Sequence, residues 1–467
     1  MPGVLGCCTG APRAVQRSRG RIALPSSPPR LRTVMSIATI ESLDHEGRGV
    51  THVGGKTVFI EGGLPGERVE YEVQRSRPNY EQATAVRILR SSAQRVEPRC
   101  AHFGVCGGCS MQHLDPLAQA AAKQRILEDA LWHIGKLRPA IIYPAVNGPA
   151  WGYRYRARLG VRLVPSKGGL RIGFHERRSS YIVDMRECPV LPAGISAMLP
   201  RLREMIAGLS IADRLPQVEI AIGDDATVFV FRNLQPFSRA DEKRIAAFAA
   251  AEGIQAWMQP GGPDTAIPFD PSAERALHYT LPEFDVRMDF RPTDFTQVNV
   301  HINRLLIRSA MQLLAPRAGE RIADLFCGLG NFSLPIARLG ARVIGVEGSD
   351  ALVARALDNA RRNGLDSLTE FHAANLFEAT EDSLAALGPL DKMLIDPPRE
   401  GAIAVAKALG GEHSPARIVY VSCNPATLAR DAAVLVREKG YVLRGAGIAN
   451  MFPQTSHVES VALFERG

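Results

Sequence analysis

The feature that most constrains this 467-residue chain is the rhythm of its last third. From residue 300 onward, short apolar runs alternate with longer helical stretches. Strand-like runs fall at 321–326, 342–347, 368–373, 392–396, 417–423, 441–448 and 458–464. Helical stretches separate the first six, and a short loop joins the last two. Such alternation predicts a parallel α/β sheet with helices on both faces. A parallel crossover needs about a dozen residues, so the last strand is expected to run antiparallel, giving six parallel strands and one reversed.

The loops at one rim of such a sheet carry the chemistry. Asp324-Leu325-Phe326-Cys327-Gly328-Leu329-Gly330-Asn331-Phe332 follows the first strand and leads into a helix. Its glycines let backbone approach a ligand closely. Glu347 ends the second strand, about 20 residues on, where an acid can bind ribose hydroxyls. The loop lacks the G-x-G-x-x-G dinucleotide pattern and a P-loop lysine. Asp396-Pro397-Pro398-Arg399 follows the fourth strand, Val421-Ser422-Cys423-Asn424-Pro425 the fifth, and Phe452-Pro453-Gln454-Thr455-Ser456-His457-Val458-Glu459 opens the last. Ligands of open α/β sheets bind beyond the carboxyl ends of the strands. An antiparallel last strand begins on that rim, so Cys423, Asp396 and Glu459 are expected to converge.

Ahead of this region the chain is long enough for one or two further domains. Residues 36–93 carry short β-branched or alternating runs, Thr57-Val58-Phe59-Ile60 and Arg68-Val69-Glu70-Tyr71-Glu72-Val73, between glycine-rich turns, which predicts a small barrel. Residues 94–290 mix strand and helix signals. Within them Tyr153-Arg154-Tyr155-Arg156-Ala157-Arg158-Leu159 would set three arginines on one strand face, suited either to a phosphate backbone or to plain solvation.

The net charge of +8 adds little to that. Residues 1–34 hold six arginines with no lysine or acid, and removing those charges leaves +2 for the rest. We read 1–34 as a disordered basic tail with a faint transit-peptide character and Met35 as a candidate natural start. No apolar run approaches the roughly 18 residues of a membrane helix, and no signal-peptide core stands out, so the expected compartment is the cytoplasm.

Eight cysteines are unevenly placed. Cys7 and Cys8 lie in the tail. Cys100, Cys106 and Cys109 come from one loop whose Gly107 and Gly108 allow tight wrapping, and Cys188, in Arg186-Glu187-Cys188-Pro189, is the natural fourth thiolate. Four thiolates suit an iron–sulfur cluster or tetrahedral zinc. Zinc sites more often show two Cys-x2-Cys pairs, and the Cys-x3-Cys-x2-Cys of radical enzymes is absent.

Ser42 to Val50, Gly55-Lys56-x-x-Phe59 and Leu64-Pro65-Gly66-Glu67 resemble a TRAM domain, which implies RNA binding. Phe295-Thr296-Gln297-Val298-Asn299, the 324–332 loop, Asp396-Pro397-Pro398-Arg399, Ser422-Cys423-Asn424-Pro425 with Thr427-Leu428-Ala429-Arg430-Asp431, and 452–459 occur in the order seen in uridine-5 RNA methyltransferases. The resemblance covers about 36–465 and implies a class I (Rossmann-like) methyltransferase domain at 291–467. A central α+β domain would span 94–290 and a TRAM-like β-barrel 35–93. It implies S-adenosylmethionine contacts at Gln297, Phe326, Asn331, Glu347, Asn375 and Asp396. With Ser110-Met111-Gln112-His113 after the third loop cysteine, it implies a [4Fe–4S] cluster on Cys100, Cys106, Cys109 and Cys188. The last motif reads Pro453-Gln454-Thr455-Ser456-His457, where a His and a Gly are more often expected in the family.

The chemistry needs this set. Carbon 5 of uracil is a poor nucleophile until a thiolate adds to carbon 6, and a base must then remove the carbon 5 proton. Cys423 is expected as nucleophile and Glu459 as base. Barrel plus four cysteines point, within the family, to 23S ribosomal RNA as partner, with transfer RNA as the alternative. A monomer without protein partner is expected. A cytosine-5 enzyme would show Pro-Cys or Thr-Cys around Cys423, which is absent. A noncatalytic RNA-binding or ribosome-assembly factor would need neither Cys423 nor Glu459.

Overall fold

A computed structural model describes residues 35–410 and 414–467. The basic tail, with Cys7 and Cys8, lies outside the described residues. The first element is a six-stranded sheet of β1 (Met35–Thr39), β2 (Ser42–Leu43), β3 (Gly49–Val53), β4 (Lys56–Glu61), β5 (Arg68–Ser76) and β6 (Tyr80–Arg90), ordered β1-β5-β6-β4-β3-β2. The chain between β1 and β2 joins its two edges. Ile40 N donates to Glu67 O at 2.9 Å and Glu41 N to Val50 O at 2.8 Å. Those bonds curl the sheet into a barrel around Ile40, Val58, Ile60, Val69 and Tyr71. Closure brings β3 so near that a Cβ on Gly49 would lie 2.8 Å from Ile40 Cγ2.

The barrel is locked to the chain that leaves it. The buried carboxylate of Glu67 accepts from Leu64 N at 2.9 Å, Ser92 N at 3.1 Å, and Arg95 Nε at 2.6 Å and Nη2 at 2.7 Å. Burial opposes its ionisation, but these donors together hold it below the usual carboxylate range.

Helix α1 (Pro116–His133) follows. Asp115 caps it by accepting from Leu117 N at 2.9 Å, and Pro116 sits in the first turn, where its missing N–H costs nothing. Its buried stripe is Gln119, Ala120, Lys123, Leu127 and Leu131. A two-residue strand, β7 (Ile141–Ile142), then departs for the distant C-terminal sheet.

The central region folds on a mixed six-stranded sheet. Its elements are β8 (Arg156–Val164), β9 (Gly169–Gly173), α2 (Ala193–Ala207), β10 (Gln217–Ile222), β11 (Thr227–Arg232), α3 (Arg239–Glu252), β12 (Gln255–Gln259) and β13 (Ile267–Pro268). The strands are ordered β13-β12-β11-β10-β8-β9. Helices α2 and α3 cover one face around Leu159, Leu202, Phe229 and Phe231. The other face, with Val228, Val230 and Trp257, packs on the hairpin β14 (Leu277–Leu281) and β15 (Val286–Phe290) and shares a core with the C-terminal region.

The arginines of 153–159 alternate with buried Tyr153, Ala157 and Leu159 as the pattern predicts, but they do not form one phosphate-facing stripe. Arg156 donates to the carbonyls of Pro292 (2.6 Å) and Asp294, and Arg158 pairs with Glu219 at 2.9 Å. Arg154 lies 5.5 Å from the Phe174 ring, beside the cysteine loop. Fixed internal partners outcompete a solvated or RNA-facing role for Arg156.

The C-terminal region runs α4 (Val300–Leu314), β16 (Arg321–Leu325), α5 (Ser333–Arg338), β17 (Arg342–Glu347), α6 (Asp350–Arg362), β18 (Thr369–Ala373), α7 (Glu381–Ala385), β19 (Lys392–Ile395), α8 (Ile403–Ala408), β20 (Arg417–Ser422), α9 (Pro425–Arg437), β21 (Tyr441–Ala449) and β22 (Glu459–Arg466). The sheet order is β18-β17-β16-β19-β20-β22-β21-β7. β22 alone is antiparallel to its neighbours, as expected from its helix-free connection. β16, β19 and β20 are almost wholly buried, because helices pack on both faces. One core holds α4 to α6, the other α1, α8 and α9. The eighth strand, β7, comes from outside this region and was not predicted. Two residues carry no readable period.

Candidate active site

Two adjoining cavities open at the carboxyl rim of this sheet. The first, about 560 Å³, is lined by the loops after β16, β17, β18, β19 and β20 and by the segment entering β22. Gln297, Phe326, Asn331, Glu347, Asn375 and Asp396 all line it, together with Cys423 and Glu459. Side chains separated by 162 positions in sequence thus share one wall.

The 326–332 loop is tightly wound. Phe326, with φ +63°, occupies the left-handed region that side chains avoid, and Gly328 (+58°) and Gly330 (+96°) follow it there. Its backbone is pinned by Phe326 N to Val346 O (2.8 Å) and by Gly328 N to Glu347 Oε2 (3.0 Å). Strain held by such over-determination is typical of ligand loops. Glu347 Oε1 also accepts from Ser349 N at 3.1 Å, which fixes its carboxylate in the cavity wall. Asn331 is oriented by Tyr279 Oη (2.8 Å) and by reciprocal bonds with Asn303 at 3.0 Å. Phe326 and the exposed Phe377 stand with ring centres 5.7 Å apart at the edge.

Cys423 directly follows β20 and precedes Asn424, which caps α9 by accepting from Ala426 N at 3.1 Å. A helix N-terminus favours a thiolate. Here burial and the neighbouring Glu459 and Asp396 outweigh that, and the thiol is pushed up to about 12 despite Arg399 nearby. Burial pushes Asp396 up to about 7, and burial with the Asp396 charge pushes Glu459 well above the carboxylate range. These shifts favour protons on all three acids, and a cation in the cavity would oppose them.

His457 was not singled out from the sequence. Its Nε2 lies 3.9 Å from Glu459 Oε2, its Nδ1 lies 3.4 Å from Arg399 Nη2, and its ring meets Phe452 edge-on at 4.4 Å. Burial, with Arg399 and Lys123, holds it down to about 4, so it is neutral at physiological pH.

The second cavity, about 750 Å³, adjoins the first through the shared residues Arg399, Cys423 and His457. Its walls carry Arg154, His175, Arg177 and Arg178 and the aromatic rings of Phe103 and Phe174. Cys100, Cys106, Cys109 and Cys188 all line it. Cβ atoms on Gly107 and Gly108 would meet His175 O at 3.1 Å and Phe174 Cδ2 at 3.3 Å, which explains the glycine pair of this loop. Burial, and secondarily the neighbouring thiols, push Cys109 up to about 12 and Cys188 to about 11. Among the described residues no three His, Cys, Asp or Glu side chains are grouped to hold a single metal ion. A zinc ion would need its sulfurs about 2.3 Å from one centre. Four thiolates are also the donor set of an iron–sulfur cluster.

The chain is similar to known proteins over most of its length. Residues 273–467 match the family described as tRNA (Uracil-5-)-methyltransferase, and residues 37–86 match the TRAM domain. A 23S rRNA (uracil(1939)-C(5))-methyltransferase RlmD of Azoarcus sp. (strain BH72) is 76% identical over 432 residues, covering 92% of this chain and 100% of that protein. The protein of the same name from Burkholderia pseudomallei (strain 1710b) is 58% identical, covering 92% of this chain and 95% of its own length. Among solved structures, the Pyrococcus abyssi tRNA (uracil-54, C5)-methyltransferase in complex with S-adenosyl-L-homocysteine aligns with a TM-score of 0.69 and 25% identity, over 92% of this chain and 100% of that one. Identity of this extent over nearly the whole length means that the chain belongs to the family of 23S rRNA (uracil-C5)-methyltransferases.

Proposed function

We propose that this protein methylates carbon 5 of a uridine in 23S ribosomal RNA, with S-adenosylmethionine as methyl donor. The observation that carries the reading is the place of Cys423 at the junction of two cavities. One is narrow, lined by Gln297, Phe326, Asn331, Glu347, Asn375 and Asp396, and fits a nucleoside donor. The other is wide, basic and partly aromatic, and fits an RNA strand with one base turned out.

Cys423 Sγ adds to carbon 6 of the uracil as the thiolate, and the electron pair of the 5,6 double bond moves onto the ring as an enolate. S-adenosylmethionine, when bound, supplies the electrophilic methyl that carbon 5 takes. Glu459 then removes the carbon 5 proton, the double bond re-forms, and the bond from carbon 6 to Cys423 breaks. Asp396 orients the reacting groups from the floor of the cavity. The cationic sulfonium favours the ionised forms that Glu459 and Cys423 need.

Cys100, Cys106, Cys109 and Cys188 would hold a [4Fe–4S] cluster, supported by four thiols lining one cavity. Methyl transfer needs no electron, so the cysteines serve to cross-link the 100–109 loop to the 188 turn beside the active site. We further infer a division of labour in which 35–93 and 94–290 bind RNA and 291–467 catalyses, in a cytoplasmic monomer. Among the described residues, no helix is long and apolar enough to cross a membrane.

Transfer RNA is the second reading, favoured by the substrate named for the aligned archaeal enzyme. Incubating the purified protein with labelled S-adenosylmethionine and either 23S rRNA or transfer RNA transcripts separates the two. Label in 23S rRNA alone is expected, and label in transfer RNA alone overturns the substrate.

A further inference from the structure

The segment that enters β22 makes an irregular turn before it delivers His457 and Glu459. Gln454 within it has φ +68°, a left-handed conformation unfavourable for a glutamine, so something outside the turn must hold it. That something is α1. Lys123 and Gln119, one helical turn apart, are both 0% exposed. Lys123 Nζ donates to Asn450 Oδ1 at 2.7 Å and to Phe452 O at 2.8 Å. Gln119 Nε2 donates to Gln454 Oε1 at 3.0 Å, and its Oε1 accepts from Gln454 N at 2.8 Å.

Both residues are costly where they stand. Burying an ammonium without a carboxylate partner is unfavourable, and burial holds Lys123 down to about 7. A methionine would fill the same space without that cost, so packing alone does not explain a lysine. Its contacts lead straight to the reacting groups. Phe452, whose carbonyl it fixes, meets His457 edge-on at 4.4 Å, and His457 Nε2 lies 3.9 Å from Glu459 Oε2. Gln119 also ties the far side of the turn to the cysteine loop. Its Nε2 donates to Met111 O at 3.0 Å, while Ser110 N and Met111 N both donate to Gln454 O at 3.0 Å.

We propose that Gln119 and Lys123 are positioning residues for proton abstraction, holding the 450–454 turn so that His457 and Glu459 face the carbon 5 proton. The inference rests on the reading of Glu459 as the base. Loss of either residue loosens the base while leaving Cys423, just beyond β20, and the 326–332 loop in place. The enzyme then still adds Cys423 and transfers methyl, but eliminates slowly, and methylated RNA stays bound to the protein.

The test uses full-length Lys123→Met and Gln119→Met proteins beside Glu459→Gln. For each, turnover, covalent protein–RNA adduct on denaturing gels and S-adenosylhomocysteine affinity are measured. Both positioning variants are expected to lose about 10²-fold in turnover, the loss a misplaced reacting group produces. Each should accumulate adduct carrying a methylated uracil and keep wild-type S-adenosylhomocysteine affinity. Turnover at the wild-type rate overturns the proposal. So does a loss of turnover without adduct, or one matched by a loss of cofactor affinity, since that marks a purely structural role. If Glu459→Gln itself builds no adduct, the reading of Glu459 falls and the inference falls with it. If Lys123→Met does not fold, Gln119→Met and Asn450→Ala decide by the same criteria.

Discussion

Cys423, Asp396 and Glu459 share a buried pocket in which burial raises all three, Glu459 and Asp396 make ionisation of Cys423 harder still, and Asp396 does the same to Glu459. A site so built waits for positive charge. S-adenosylmethionine carries a sulfonium and S-adenosylhomocysteine does not. The sulfonium lowers the affinity of Asp396 for its proton from a starting point of about 7, so donor binding near neutral pH releases a proton. Calorimetry in buffers of different ionisation enthalpy should show larger proton release for S-adenosylmethionine than for S-adenosylhomocysteine. Asp396→Asn should shrink the difference. Without donor added, the same raised value makes stability fall as pH rises from about 4 through about 7, because the folded state keeps a proton that the unfolded chain has lost. Replacing Cys423 by alanine should abolish both methyl transfer and adduct, whereas Glu459→Gln should abolish only elimination. The convergence of these residues was legible in the sequence, because each ends or begins a strand and the reversed last strand fixes which rim it faces. His457 was not singled out, since its role depends on a ring contact with Phe452 and a distance to Glu459 that no spacing encodes.

At the level of elements, the sheet was legible where burial is two-sided, as in β16, β19 and β20, whose apolar runs have clear ends. Short or polar pieces were not. β7 is too short to show a period, and the two hydrogen bonds that close the barrel lie in the link between β1 and β2, outside any strand. Arg156 reads as a surface arginine yet caps the carbonyls of Pro292 and Asp294. Lys123 and Gln119 interrupt an otherwise apolar helix stripe, which is the one sign in the sequence that α1 does more than pack. The Glu67–Arg95 pair holds the barrel to its linker. Glu67→Gln leaves the partly exposed Arg95 without its carboxylate and should destabilise by about 2–3 kcal/mol. Thermal unfolding of the full chain checks this, and an unchanged midpoint would show that the barrel is held by other contacts.

At the scale of the whole molecule, three regions meet at one place. The barrel contributes His45 and Glu46, the central region the four cysteines and Arg154, and the C-terminal region Arg399 and Cys423 to the walls of the same cavity. The spacing of Cys100, Cys106 and Cys109 and the lone Cys188 made their grouping legible. The identity of the bound group was not, because four thiolates alone serve several metals. Anaerobically purified protein is expected to contain about four irons and four sulfides per chain. Cys188→Ser should lose most of both, and zinc at one equivalent per chain would replace the assignment. Iron loss should also loosen the 109–111 segment, which hydrogen-bonds to Gln454, and so slow proton abstraction more than donor binding.

The most direct test of the central claim is mass spectrometry of 23S ribosomal RNA from cells lacking this gene, complemented with either the wild-type or the Cys423→Ala protein. The account predicts that one uridine loses its carbon 5 methyl group in the deletion and regains it only with the wild-type protein. An unchanged 23S rRNA, or rescue by Cys423→Ala, would contradict it.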